Sequence, residues 1–166
     1  MSTLLEKQIK VNRIVTTSIA HARAIEDPAR AKIMEILYHQ ALSADQISTA
    51  LKKTGYKKAL TTVRHHLEIL KASGLVEIVR IEESRGAITK YYSTSTKLLD
   101  FQTPVDFDST YSKVIHNTST KIEKILKGLT PKTASKGKKS EDYSQYLVME
   151  IMNRAMTNVL EKSNKK

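Results

Sequence analysis

The sequence predicts a mainly α fold carrying a small β-hairpin, an α+β arrangement with helical extensions at both ends. Three observations predict it. Three stretches of helical apolar spacing lie between residues 27 and 73, and two β-rich runs flank a glycine-containing turn between 75 and 95. The segments outside, 3–25 and 105–163, return to helical spacing. The expected division is an N-terminal helix within 1–26, a compact domain at 27–98, and a C-terminal extension at 105–163 interrupted by a linker at 131–140.

Val11, Ile14, Val15, Ile19 and Ala22 recur at helical spacing, which predicts a helix over 3–25. Asp27-Pro28 then reads as a helix start, because Asp caps orphan amides and Pro fits the first helical position. Ala31, Ile33, Met34, Ile36 and Leu37 give that helix an apolar face through about His39. Ser43 with Gln46 three residues later is a capping-box pattern, opening a short helix that carries Ile47, Ala50 and Leu51. Lys52-Lys53-Thr54-Gly55-Tyr56-Lys57-Lys58 reads as a long, basic turn. A helix over about 60–73 follows, with Leu60, Val63, Leu67 and Leu70 on one face and Thr61, Arg64, His65, Glu68 and Lys71 on or beside the other. Gly74 suits the left-handed residue that ends a helix.

Leu75–Glu82 and Ala87–Ser95 predict a β-hairpin turning at Glu83-Ser84-Arg85-Gly86. Strand alternation sends one ring of Tyr91-Tyr92 inward and the other outward. After Pro104, Asp106 or Asp108 is expected to cap a helix whose apolar side runs from Phe107 and Tyr111 to Ile125 and Leu126. Residues 131–140 have Pro, Gly, Ser and four lysines with nothing to bury, the composition of a linker. Ser140-Glu141-Asp142 is read as the start of a last helix with a wide apolar stripe from Leu147 to Leu160.

Composition narrows the chemistry. The 166 residues hold 28 Lys+Arg against 17 Asp+Glu, a formal net charge of +11, and such an excess attracts polyanions. The alternative is a basic protein kept soluble by its charge. Cysteine is absent, which excludes disulfides and thiolate metal sites. Leu4-Leu5 is followed at once by Glu6-Lys7, unlike a secretory signal, and no segment approaches the roughly 20 apolar residues of a membrane span. A cytoplasmic protein without a membrane partner is expected. An enzyme is not: there are five glycines and no phosphate-cradling loop, and no nucleophile–base or carboxylate pair stands at a characteristic spacing. No cofactor and no metal are expected either. His65 and His66 are neighbours about 100° apart on a helix and cannot face one ion, while His21, His39 and His116 are scattered.

The order of three helices and a hairpin in a basic chain is that of a winged helix-turn-helix. It resembles the ArsR-type (arsenic-repressor-like) transcription regulators, and its overall look is similar to archaeal winged-helix regulators. Asp27-Pro28-Ala29-Arg30 with Ile33, Ile36 and Leu37 looks like the family's opening helix. His66-Leu67-x-x-Leu70 with Gly74-Leu75-Val76 looks like its recognition helix and the lead into the wing, and Lys90-Tyr91-Tyr92 like the wing's return strand. The resemblance covers roughly 65 of the 166 residues. The chain departs from the family in its extra basic residues around Gly55–Lys58, in lacking the cysteines of metal-sensing members, and in its long C-terminal third. At the position of His66 the family uses a packed histidine, so the same role is implied here.

In a helix-turn-helix the second helix enters the major groove of double-stranded DNA and reads base edges with its N-terminal residues. Here those are Thr61, Thr62, Arg64 and His65. Arg64 has the donors for guanine O6 and N7, or for a phosphate. Thr61 and Thr62 suit bases, phosphates or a helix cap, and His65 suits a phosphate or a base. Lys53, Lys57 and Lys58, with Lys52, surround the turn and suit phosphates, which give affinity without sequence information; the alternative is a solvated loop. Arg85 at the wing tip suits a narrow minor groove, though Glu82 and Glu83 oppose it, and Lys90 joins it as a DNA-facing candidate on the wing. The expected function is a dimeric, sequence-specific transcription regulator. The N-terminal helix and the helix at 141–162 are the spare apolar surfaces for a homodimer. Two other readings remain: an architectural DNA-binding protein without sequence preference, and a winged-helix module that binds protein within the transcription machinery.

Overall fold

The structure is a computed structural model that describes residues 17–129 and 138–163. Most of the expected 3–25 helix lies outside the described residues. Within them the helix begins only at α1 (Ile19–Ile25), because Ser18 is extended (φ −78°, ψ 147°) and its hydroxyl accepts from the His21 amide at 3.0 Å. The buried face also differs from the expected stripe: Ala24 is buried and Ile25 partly so, while Ile19 is 73% exposed. The short helix turns its closing residues, not its opening ones, toward the core.

Asp27 starts α2 (Pro28–Leu37) by accepting hydrogen bonds from the amides of Ala29 at 2.8 Å and Arg30 at 3.3 Å. Arg30 reaches back, its Nε donating to the Ala24 carbonyl and a terminal nitrogen to that of Arg23. Two of the orphan carbonyls at the end of α1 are thereby satisfied from α2, which ties the two helices together. α2 ends two residues earlier than expected. Tyr38 is extended and bridges Thr94, and His39 takes a positive φ of 64°, so the sheet draws the chain out of the helix.

Ser43 and Gln46 form the capping box of α3 (Ala44–Lys53) in full: the Gln46 amide donates to the Ser43 hydroxyl, and the Ser43 amide to the Gln46 side chain. Just before it, Leu42–Ser43 is a two-residue strand, β1, too short to carry a strand signal in the sequence. It pairs antiparallel with the return strand of the wing, Leu42 opposite Tyr92. α4 (Leu60–Ala72) ends at Gly74, whose φ of 78° is a backbone that L side chains rarely adopt.

The wing is β2 (Glu77–Ser84) and β3 (Ala87–Ser93), and the sheet order is β1-β3-β2. Its turn is shorter than the four residues expected. Only Arg85 (φ 51°) and Gly86 (φ 78°) separate the strands, and both positive φ values fit a two-residue hairpin. A bulge between Ile78 and Arg80 shifts the register and leaves Val79 52% exposed. Tyr92 is buried and Tyr91 lies on the other face, as alternation requires.

Ile33, Met34 and Leu37 of α2, Ile47 and Leu51 of α3, and Val63, Leu67 and Leu70 of α4 meet Leu75, Val76 and Tyr92 in one core. Thr94 ties the end of the wing to its beginning by donating to the Leu75 carbonyl at 2.6 Å. This is a winged helix-turn-helix, and its residues, 17–101, form one compact unit.

The described residues from Gln102 onward form a second unit. One helix was expected from Asp106 or Asp108. Instead a single turn, α5 (Phe107–Thr110), ends at Tyr111, and α6 (Ser112–Leu129) follows. Asp106 is the N-cap but makes no cap hydrogen bond; its carboxylate accepts from the Thr110 hydroxyl at 3.0 Å instead. α7 (Lys138–Ser163) is already helical at Lys138, so Ser140 lies inside the helix and not at its cap. The linker expected at 131–140 otherwise falls outside the described residues.

Candidate nucleic-acid interface

The turn between α3 and α4 is built by its own hydrogen bonds. The Thr54 hydroxyl donates to the Leu51 carbonyl at 2.9 Å, the Gly55 amide to Lys52 at 3.2 Å, and the Tyr56 amide to Leu51 at 3.0 Å. Gly55 supplies the reversal with φ 92°. Lys52, Lys53 and Lys57 are exposed around this knot and Lys58 is half-buried.

Ala59 is the N-cap of α4, with no side-chain cap hydrogen bond, so neither Thr61 nor Thr62 caps the helix. The first amides of α4 therefore keep their donors and their partial positive charge directed forward. Helical rotation then sorts the predicted residues. Thr61, Arg64 and His65 are exposed, Thr62 is half-buried, and Val63, His66 and Leu67 point into the core. Arg64 makes no ion pair among the described residues. One turn further, Glu68 holds Lys71 at 2.8 Å, and that hydrogen bond keeps the Glu68 carboxyl below its ordinary range.

His66 is 5% exposed, and neither ring nitrogen has a hydrogen-bond partner among the described residues. Burial pushes its pKa down; Asp27 opposes that shift, while Arg30, Lys58 and His65 add to it. A packed, neutral imidazole follows. Burial also acts on Asp27 by raising its carboxyl pKa, but the two amides it caps, with His66 and Arg30, bring it below the ordinary value.

The wing presents a different surface. Arg80 lies 3.9 Å from the centroid of the Tyr91 ring and 3.3 Å from Glu82, while the Tyr91 hydroxyl donates to Glu82 at 2.8 Å. That bond raises the Tyr91 pKa. Arg85 occupies the tip, and Lys90 lies within electrostatic reach of Glu68. Glu77, Glu82 and Glu83 balance Arg80, Arg85 and Lys90, so the wing carries no net charge. By contrast, residues 52–72 hold six basic side chains and one acidic, a net +5, while the rest of 17–101 sums to −1. The positive field of this unit is gathered on the basic turn and α4.

The predicted residues thus fall into two groups. Lys53, Lys57, Lys58, Thr61, Thr62, Arg64 and His65 lie on the turn and the first half of α4; Arg85 and Lys90 lie on the wing, with Lys90 within electrostatic reach of Glu68. Sequence reading passed over Tyr56, the lone aromatic in the basic run and partly buried against the core. Among the described residues no group of three or more His, Cys, Asp or Glu is placed to hold a metal ion, and no helix is long and apolar enough to cross a membrane.

No curated protein matches the chain. Residues 25–79, from the end of α1 through α4 into β2, match the family model of a helix-turn-helix domain.

Proposed function

We propose that the chain is a sequence-specific, DNA-binding transcription regulator of the arsenic-repressor-like type, acting in the cytoplasm as a homodimer without a catalytic role. The observation that carries this reading is the concentration of charge. A net +5 lies on residues 52–72, on the same surface as the exposed Thr61, Arg64 and His65 and the uncapped start of α4. An α-helix fits the major groove, and its N-terminal residues reach base edges. Arg64 reads a guanine through its two donors, His65 adds a base or phosphate contact, and Thr61 and Thr62 border them. Lys53, Lys57 and Lys58 grip phosphates. Arg85 and Lys90 flank the duplex with a smaller share, since the wing is electrically neutral.

Two recognition helices reach successive major grooves about one helical turn apart only in a dimer. Exposed apolar side chains support one: Val114, Ile115, Ile125 and Leu126 on α6, and Met156, Val159 and Leu160 on α7. Sedimentation at micromolar concentration should show the dimer, and a monomer there would sink this part of the reading.

Selection of bound duplexes from a random pool tests the function. A recovered motif bound more than about 10³-fold tighter than scrambled DNA at physiological salt is expected. Arg64→Ala should cost about 1–3 kcal/mol on the winning site and relax the preference at one base pair. Tight binding with no motif would make the protein architectural, and no binding would point to a protein partner.

A further inference from the structure

The run from Lys52 to Lys58 should be a poor phosphate grip if left to itself. Four lysines within seven residues repel one another, and a mobile turn must be ordered on every encounter with DNA. Yet the turn is already ordered. Thr54, Gly55 and Tyr56 each return a donor to the end of α3, and the Tyr56 side chain packs partly buried against the core. Tyr56 is followed directly by Lys57 and Lys58, and Ala59 then caps α4 with no side chain in the way.

We propose that Tyr56 is a positioning residue for DNA-backbone contact: its ring anchors the basic turn to the core, so that Lys57 and Lys58 stand beside the first free amides of α4. The anchor divides the run into two pairs of lysines, one closing α3 and one leading into α4. It presents the backbone of the second pair at a fixed place before DNA arrives, so only the lysine side chains remain to be ordered at the encounter. The contact is to phosphate and carries no sequence information, so Tyr56 governs affinity and not preference. This inference rests on the DNA-binding reading above.

The slope of log affinity against log salt separates positioning from mere stability. Each phosphate contact contributes about 0.9 to the slope for duplex DNA. A loss of folded protein lowers the active fraction and leaves the slope alone. The full chain, its Tyr56→Ala and Tyr56→Phe variants, and a variant with one glycine inserted between Tyr56 and Lys57 would be titrated with a duplex of scrambled sequence. Salt would run from about 50 to 200 mM, where such contacts dominate. Tyr56→Ala is expected to flatten the slope by about one to two, and Tyr56→Phe to keep the wild-type slope. The insertion follows the anchor and displaces the lysines from it, so it should flatten the slope like Tyr56→Ala while urea unfolding stays as in the wild type. A wild-type slope in either the alanine variant or the insertion overturns the proposal, as does an equal loss in Tyr56→Phe. Failure of the wild-type chain to bind duplex at 50 mM salt would remove the DNA-binding reading itself, a result distinct from an unchanged slope.

Discussion

Helices α4 and α6 have the same kind of sequence and opposite fates. Each has one apolar side and one polar side, over 13 residues in α4 and 18 in α6. On α4 the apolar side is closed: Val63, Leu67 and Leu70 are 0% exposed. On α6 it is open: Val114 is 60% exposed, Ile115 42%, Ile125 36% and Leu126 38%. Amphipathic spacing records which face of a helix avoids water and does not record what covers it. α4 is covered because α2, α3 and the start of the wing converge on it within one unit. α7, the long neighbour of α6 in its own unit, touches α6 but covers it incompletely: Ile122 is half-buried, and the four side chains above stay partly in solvent.

The largest test of this contrast is a matched pair of truncations. Leu67→Ala removes three carbons from a closed site and should destabilise the 17–101 unit by about 2–5 kcal/mol in urea unfolding. Ile125→Ala, from a site already 36% in water, should cost the isolated chain less, about 1–2 kcal/mol, at concentrations where it is monomeric. Its larger effect is expected at high concentration, as a weaker dimer. Equal costs in dilute solution would mean that α6 is covered after all.

The same contrast explains what the sequence could disclose. Local chemistry was legible: the Asp27 cap, the Ser43–Gln46 box, the left-handed Gly74 and the inward set Val63, Leu67 and Leu70 are each fixed by neighbours within a few residues. Non-local pairing was not. β1 exists because Leu42 and Ser43 meet Tyr92 and Tyr91, about fifty residues away, and two residues carry no strand signal of their own. The bulge at Ile78–Arg80 likewise depends on strand register rather than on residue type. At the interface, the residue types and helix face of Arg64 and His65 were readable from spacing. The contact of Arg80 with Tyr91 was not, because it needs the strand alignment. Tyr56 was overlooked because a single aromatic in a lysine-rich turn looks like any other turn residue until the core behind it is seen.

A pH titration sharpens the contrast on α4 itself. The pKa of His66 is lowered in the folded chain, chiefly by burial, and its unfolded value is about 6.5. The unfolded state therefore takes up the proton first as pH falls. The stability that the neutral imidazole contributes is full above about pH 6.5 and is lost below it, by at most about 1.4 kcal/mol per pH unit. Asp27 acts in a separate window. Its folded pKa is lowered below 3.8, so its contribution is present above that value and is lost as pH falls through the folded pKa. Urea unfolding at pH 7.5 and 5.5 should show a drop in the wild type that is smaller in His66→Phe. The same drop in both proteins would assign the effect to other groups.

The smallest effect on stability is expected two residues before His66. Arg64 shares the helix with the buried imidazole but projects from the exposed side and has no ion pair among the described residues. Arg64→Ala replaces one good helix former by a better one and uncovers nothing, so thermal unfolding should change by no more than about 0.5 kcal/mol. The same substitution is expected to cost specific DNA affinity several times that amount, about 1–3 kcal/mol. The two numbers must be measured on one preparation, because only their difference assigns Arg64 to the interface. If stability falls in step with affinity, the residue supports the fold, and the base contact passes to His65 or Thr61. If stability holds while affinity falls equally on every sequence, Arg64 belongs with the lysines on the phosphates. Loss confined to one base pair on an intact fold would place the outer face of α4 in the groove, with its inner face keeping the structural role seen at Leu67.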